Sequence, residues 1–247
     1  MADRGPRRRT RVDVALVEAG LVESRQKAQA LILAGKVRVA GETVRQPDRA
    51  VAAGTVELVA GPAYVSRGGD KLAPALDAFG VDPAGRVAAD LGASTGGFTD
   101  VLLQRGAVRV YSVDVGRGLI HERLRADPRV VLMERVNARH LEPFPEPVTL
   151  VTADLSFIGL EKVLPAVLRA APALEEAVVL FKPQFEVGAG EVGKGGVVRD
   201  PAAIERALDA FTAWCAANGW EVRGRFASPL AGPAGNREVL LHLVPAR

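Results

Sequence analysis

From Val87 onward the chain alternates apolar and amphipathic segments, and this pattern constrains its fold more than any other feature. Apolar runs at 87–91, 108–113, 130–133, 149–153 and 177–181 are separated by helical stretches that include 97–105, 119–126 and 160–170. Runs this short and apolar read as strands buried on both faces. Helices between such strands act as crossovers, so the segment predicts a parallel, doubly wound sheet. After residue 200 the pattern changes. One long helix, 201–218, precedes two extended runs at 221–226 and 238–244. Two strands joined by a loop pair antiparallel, so the parallel sheet is expected to end in a hairpin edge.

Residues 1–60 follow another plan. Val12, Ala15, Leu16 and Ala19 share one helical face, and Gly20 ends the run. Ser24 is placed to cap a second helix with Ala28, Leu31, Ile32 and Leu33 as its buried stripe, stopped at Gly35. Short strands are expected at 37–39, 43–44 and 56–59, with a turn at Ala40-Gly41-Glu42. A unit of this size can only just bury a core, which suits an appended module better than an enzyme. Gly61-Pro62 marks a boundary. The expected organisation is a small α+β domain at 1–60, a linker at 61–66 and the α/β domain at 67–247. Charge divides the same way: residues 1–60 hold 11 Lys/Arg against 7 Asp/Glu, a net of +4, whereas the rest holds 21 against 22. A basic front end predicts a polyanionic partner for that end alone.

Several classes are excluded. With one cysteine, Cys215, no internal disulfide and no Cys₄ or Cys₂His₂ zinc site can form, and no metal is expected. The N-terminus is arginine-rich with no apolar secretory stretch, and no run of about 18 apolar residues occurs. A cytoplasmic protein without a membrane partner is expected.

The segment richest in chemistry is Asp90-Leu91-Gly92-Ala93-Ser94-Thr95-Gly96-Gly97-Phe98, between the first strand of the sheet and its helix. Glycines at such a turn let backbone approach a ligand, and strand ends at the switch point of a doubly wound sheet form the binding crevice. The pyrophosphate fingerprint G-x-G-x-x-G is absent, and the loop has no lysine or arginine for a polyphosphate. Asp90 instead offers a negative charge suited to the amino and sulfonium groups of S-adenosylmethionine. Asp114, ending the second strand, could accept both ribose hydroxyls, and Asn137, after the third, could meet the adenine edge. The parallel sheet with a hairpin edge fits the Rossmann-like methyltransferases. A second glycine-rich stretch, Gly188-Ala189-Gly190-Glu191-Val192-Gly193-Lys194, imitates a nucleotide-triphosphate loop, but Gly195 stands where Ser or Thr would bind Mg²⁺. It reads as a loop over the substrate.

Five segments together resemble the TlyA (haemolysin A) family of bacterial ribosomal RNA 2′-O-methyltransferases, in which an S4-type RNA-binding domain precedes an FtsJ-like methyltransferase domain. They are Ser66-Arg67-Gly68-Gly69-Asp70-Lys71-Leu72, Gly92 to Phe98, Asp154-Leu155-Ser156-Phe157-Ile158, Lys182-Pro183-Gln184-Phe185-Glu186 and Gly235-Asn236-Arg237-Glu238. The resemblance implies a catalytic tetrad of Lys71, Asp154, Lys182 and Glu238. It implies S-adenosyl-L-methionine as methyl donor, with Asp90, Gly92, Ala93, Ser94, Thr95, Gly96, Gly97, Phe98, Asp114, Asn137 and Asp154 around it. It also implies cytidines of small- or large-subunit ribosomal RNA as acceptors. The residues fit independently: Asp154 and Lys182 end the fourth and fifth strands, Glu238 begins the last and Lys71 precedes the first. A ribose hydroxyl must lose its proton as it attacks, and an amine beside a second cation gives up its own proton more readily. Lys182 is therefore the expected base, held by Asp154, with Lys71 and Glu238 orienting the hydroxyl. Phe157 could stack on a base or belong to the core.

In the front domain Arg7, Arg8 and Arg9 read as a mobile basic arm. Arg11, Arg25, Lys27, Lys36 and Arg38 read as a phosphate-tracking surface, to which Arg67 beside the linker adds. The absence of aromatics before Tyr64 points to recognition of folded RNA by shape. The competing readings are a non-catalytic ribosome-assembly factor and a membrane-lytic haemolysin.

Overall fold

The computed structural model describes residues 9–52, 54–59 and 61–246. It divides into two compact units, 1–63 and 64–247.

In the first unit β1 (Arg9–Arg11) pairs antiparallel with β4 (Ala50–Ala52), and β2 (Val37–Val39) lies between β3 (Glu42–Thr43) and β5 (Val56–Leu58). Helices α1 (Val12–Glu18) and α2 (Arg25–Leu33) pack on each other, with Val12, Leu16, Ala28, Ile32, Val37 and Val56 in the core. Ser24 caps α2 as expected, its hydroxyl accepting from the Lys27 amide at 3.2 Å. The arm reading fails at Arg9, which is a strand residue whose guanidinium donates to the Ala50 carbonyl. Three residues with little apolar content carry no strand signal until β4 offers its edge. Arg7 and Arg8 lie outside the described residues.

The second unit is a seven-stranded sheet in the order β11-β12-β10-β9-β6-β7-β8. Its strands are β6 (Val87–Leu91), β7 (Arg109–Asp114), β8 (Val130–Glu134), β9 (Leu150–Ala153), β10 (Glu176–Phe181), β11 (Trp220–Ala227) and β12 (Val239–Pro245). The five from β6 to β10 are mutually parallel, and β12 runs antiparallel between β10 and β11, which is the predicted hairpin edge. Alternation along β10 shows why the sheet needs two covering layers. Ala177, Val179 and Phe181 enter one core with α6 (Leu164–Ala170) and α8 (Pro201–Ala217), while Val178 and Leu180 enter another with α3 (Gly68–Phe79) and α4 (Gly97–Gln104).

Three helices differ from expectation. α3 was not anticipated, because two glycines open it and Pro74 sits inside it. Burial of Leu72, Ala75 and Leu76 and a left-handed Gly80 cap sustain it. The stretch 119–126 shortens to α5 (Glu122–Arg125), and 160–170 divides into a 3₁₀ turn, Leu160–Lys162, and α6, where Pro165 suits a first helical turn. The chain leaves β6 toward β7 and β8 on one side and returns to β9 and β10 on the other. The connections that leave the carboxyl ends of β6 and β9 therefore diverge, and ligands bind where strand order reverses in this way.

Candidate active site

A cleft of about 620 Å³ opens at that divergence. One wall is the glycine-rich turn. The amides of Gly92 and Ala93 donate to the Val113 carbonyl at 2.8 and 3.1 Å, and the Ser94 amide donates to Asp114 Oδ2 at 2.8 Å. Gly92, at φ +80°, lies so near β9 that a Cβ there would sit 2.4 Å from the Asp154 carbonyl oxygen. A Cβ on Gly97 would meet Ser66 Oγ at 2.3 Å, so Ser66 and Gly68 press directly on the turn. Gly92, Ala93, Ser94, Thr95, Gly97 and Phe98 all line the cleft; Gly96 does not, since it turns its α-carbon toward Ile120 and Leu124.

Asp90 has another place than expected. It is fully buried beneath the turn, where one oxygen accepts from the Thr99 amide and hydroxyl and the other from the Thr152 hydroxyl. Burial pushes its pKa up to about 7 against those hydrogen bonds, with a smaller push from Asp154. Asp90 thus founds the turn rather than facing a ligand. Alternation along β6 decides this, and the turn's composition gave no sign of it.

Asp114 ends β7 beside a small depression shared with Ala93, Ser94, Gly116, Leu119, Ile120, Leu132 and Glu134. Each of its oxygens takes one backbone N–H, from Ser94 and from Gly116 at 2.7 Å, which leaves lone pairs for two further hydroxyls. Asn137 is not brought there. It is exposed, and its side chain caps the 3₁₀ turn Ala138–His140 through the Arg139 amide. An asparagine before a helical turn is ordinarily a cap, a signal the sequence did carry.

The other wall holds two ion pairs. Lys182 follows β10, and its Nζ lies 2.5 Å from Asp154 Oδ1 and donates to Ser156 Oγ at 3.1 Å. Lys71, on α3, lies 2.5 Å from Glu238 Oε2. Lys71, Lys182 and Glu238 are only 4, 7 and 2% exposed. Burying such charges costs several kcal/mol per ion, which the pairing offsets with little net gain in stability, so two such pairs lining a cleft point to chemistry there. Among the described residues, Glu238 Oε1 and Gln184 Oε1 are buried acceptors without a protein donor. Both residues line the cleft, as do Ser156, Arg67 and Phe157. Sequence reasoning passed over Ser156 and Gln184, although both lie inside the motifs it singled out. Phe157 is not core: it is 91% exposed. Gly195 and Gly196 of the second glycine-rich stretch also line the cleft. Their segment is held by buried Asn236, which accepts from the Val198 amide and donates to the Gly196 carbonyl.

In the first unit Arg11 and Arg25 meet on the fully buried carboxylate of Asp13, Arg11 through two hydrogen bonds and Arg25 through one, and Gln29 donates a fourth. Lys27 pairs with Glu23 one turn away. Arg38 is exposed on β2, and Lys36 precedes it half-buried.

A mostly parallel seven-stranded sheet with an antiparallel edge, a glycine-rich turn after β6 and an acidic end to β7 define the S-adenosylmethionine-dependent methyltransferase fold. The sequence matches the FtsJ-like methyltransferase family over residues 64–244 and the S4 domain over residues 10–56. It is 52% identical over 241 residues to the 16S/23S rRNA (cytidine-2′-O)-methyltransferase TlyA of Mycobacterium tuberculosis, covering 96% of this chain and 90% of the relative. Hemolysin A of Brachyspira hyodysenteriae is 39% identical, with 95% and 99% covered. A solved structure of a candidate hemolysin from Streptococcus thermophilus is 40% identical, with a TM-score of 0.73 and coverage of 98% and 90%. The chain belongs to the TlyA family of FtsJ-like methyltransferases with an S4 domain. Among the described residues, no helix is long and apolar enough to cross a membrane.

Proposed function

We propose that this enzyme transfers methyl from S-adenosylmethionine to the ribose 2′-hydroxyl of cytidines in ribosomal RNA of the small subunit, the large subunit or both, in the cytoplasm. The observation that carries this reading is the convergence of two buried lysine–carboxylate pairs on one cleft with the glycine-rich turn. The turn fits the donor: it presents Gly92, Ala93, Ser94, Thr95, Gly97 and Phe98 to the cleft, it has no cation, and Asp114 keeps acceptor capacity for two ribose hydroxyls. When bound, S-adenosylmethionine supplies a methyl group activated by its sulfonium.

The chain's own residues do the rest. Gly92 to Thr95, Gly97, Phe98 and Asp114 hold the donor, while Asp90 acts from below through Thr99. Lys182 Nζ, fixed by Asp154 and Ser156, takes the hydroxyl proton when neutral. Lys71 and Glu238 hold each other at the wall of the cleft, where they orient the ribose hydroxyl. Such alignment supplies most of the acceleration in a transfer of this kind. Phe157, exposed at the cleft, offers a ring on which the target base stacks. Arg67 at the cleft, with Arg11, Arg25, Lys27, Lys36 and Arg38 on the S4 unit, provides sequence-independent phosphate contacts.

The test is transfer of labelled methyl to purified unmodified ribosomal subunits, followed by digestion and nucleoside mass analysis. Lys182→Ala should lower transfer about 10²–10⁴-fold with donor binding unchanged. A 2′-O-methylcytidine formed equally well by that variant removes Lys182 from the base role. Absence of any methylated nucleoside with the native enzyme overturns the reading itself.

A further inference from the structure

The two peptides that bear the Lys182–Asp154 pair are also joined by a carboxyl group that takes no part in it. β9 leads into Asp154, then a loop at residues 155–159, then the 3₁₀ turn Leu160–Lys162. β10 leads into Lys182 and the short helix α7 (Pro183–Glu186). Glu186 Oε1 accepts from the Leu160 amide at 2.9 Å. Its Oε2 lies so close to Gly159 that a Cβ there would be 3.2 Å away. The preceding residue, Phe185, packs on Phe157 with ring centroids 5.5 Å apart.

The loop so gripped is under strain. Phe157 adopts φ +64°, a left-handed conformation that a large side chain avoids, and it does so while 91% exposed. Neither burial nor intrinsic preference holds it there. The contacts that do are the Phe185 ring against the Phe157 ring and those at the loop's two ends, Ser156 to Lys182 and Leu160 with Gly159 to Glu186.

We propose that Glu186 is a positioning residue: its carboxyl group pins the loop so that Ser156 and Phe157 stay at the cleft, which sets how RNA is engaged although Glu186 contacts neither RNA nor methyl donor. The inference rests on reading the cleft as the site of RNA methylation. The surroundings agree with a group selected for shape more than charge. Burial pushes the Glu186 pKa up to about 7, the Leu160 amide and Lys162 oppose, and Glu161 adds to the rise. Cys215 on α8 lies within the carboxyl group's electrostatic reach, its thiol pushed up to about 12 by burial with smaller contributions from Glu161 and Glu186. Below pH 7 the side chain is mainly neutral, a form that glutamine copies.

The experiment compares native enzyme, Glu186→Ala and Glu186→Gln on unmodified ribosomal subunits, and measures amide hydrogen exchange across residues 155–160 in the RNA-free proteins. Glu186→Ala should raise the KM for RNA about tenfold, as loss of one buried hydrogen bond to an ionisable group predicts, with donor affinity unchanged. It should also speed exchange in that loop by a similar factor. Glu186→Gln, which keeps an acceptor for the Leu160 amide, should stay near native in both. Native exchange in Glu186→Ala overturns the proposal, as does equal damage in both variants. Lack of methyl transfer by native enzyme counts against the methylation reading instead, and the exchange measurement still decides whether Glu186 pins the loop.

Discussion

Asp90→Asn probes the foundation of the donor turn. The native carboxyl group is fully buried and its pKa is pushed from an ordinary 3.8 up to about 7, chiefly by burial. That is about three units, worth about 4 kcal/mol between the two protonation states. A raised carboxyl pKa means that the folded chain keeps a proton the unfolded chain releases. Below about pH 4 both states are protonated and pH has no leverage. Between about 4 and 7 the native protein loses stability as pH rises, and above 7 the loss is complete. The asparagine variant copies the neutral form and is exempt from this contribution. Urea unfolding at a series of pH values should therefore show the variant gaining on the native protein by about 2–3 kcal/mol between pH 5 and pH 8. Glu186 and the other titrating groups are common to both proteins, so their contributions cancel. Parallel curves across that range would show that Asp90 is ionised in the folded protein and refute the reasoning.

Two further substitutions test the cleft and the RNA-binding unit. Gly92→Ala combines strain at φ +80° with a Cβ placed 2.4 Å from the Asp154 carbonyl, so the turn must move away from β9; calorimetry should show donor affinity falling at least about tenfold, as strain of 1–3 kcal/mol implies. Asp13→Asn releases Arg11 and Arg25 from their shared anchor. Anisotropy titrations with a ribosomal RNA fragment should then give several-fold weaker binding and a shallower dependence on salt by about one phosphate contact; an unchanged salt slope would remove the two arginines from the phosphate surface.

Much of this protein was legible in its sequence because its largest signals are periodic. Period-two and continuous apolar runs announced β6 to β10, and the change of pattern after residue 200 announced the hairpin edge. Lys182 and Asp154 were legible because a charge immediately after an apolar strand must lie at a strand end, and strand ends in such a sheet form the crevice. What the sequence by itself determined was the order of elements and the identity of the chemically competent motifs. Only the tertiary structure decided which side chains face the cleft. Asp90 turned into the core because its face of β6 is covered by α4, where Thr99 receives it. Asn137 spent its side chain on a local cap. Lys71 found Glu238 across 167 positions only once α3, itself obscured by Gly68, Gly69 and Pro74, had packed onto the sheet. Glu186, the last residue of a motif chosen for its lysine, gained its place from a backbone amide 26 residues earlier. Local periodicity is written in neighbouring residues, whereas the partner of a buried charge is set by packing between elements far apart in the chain.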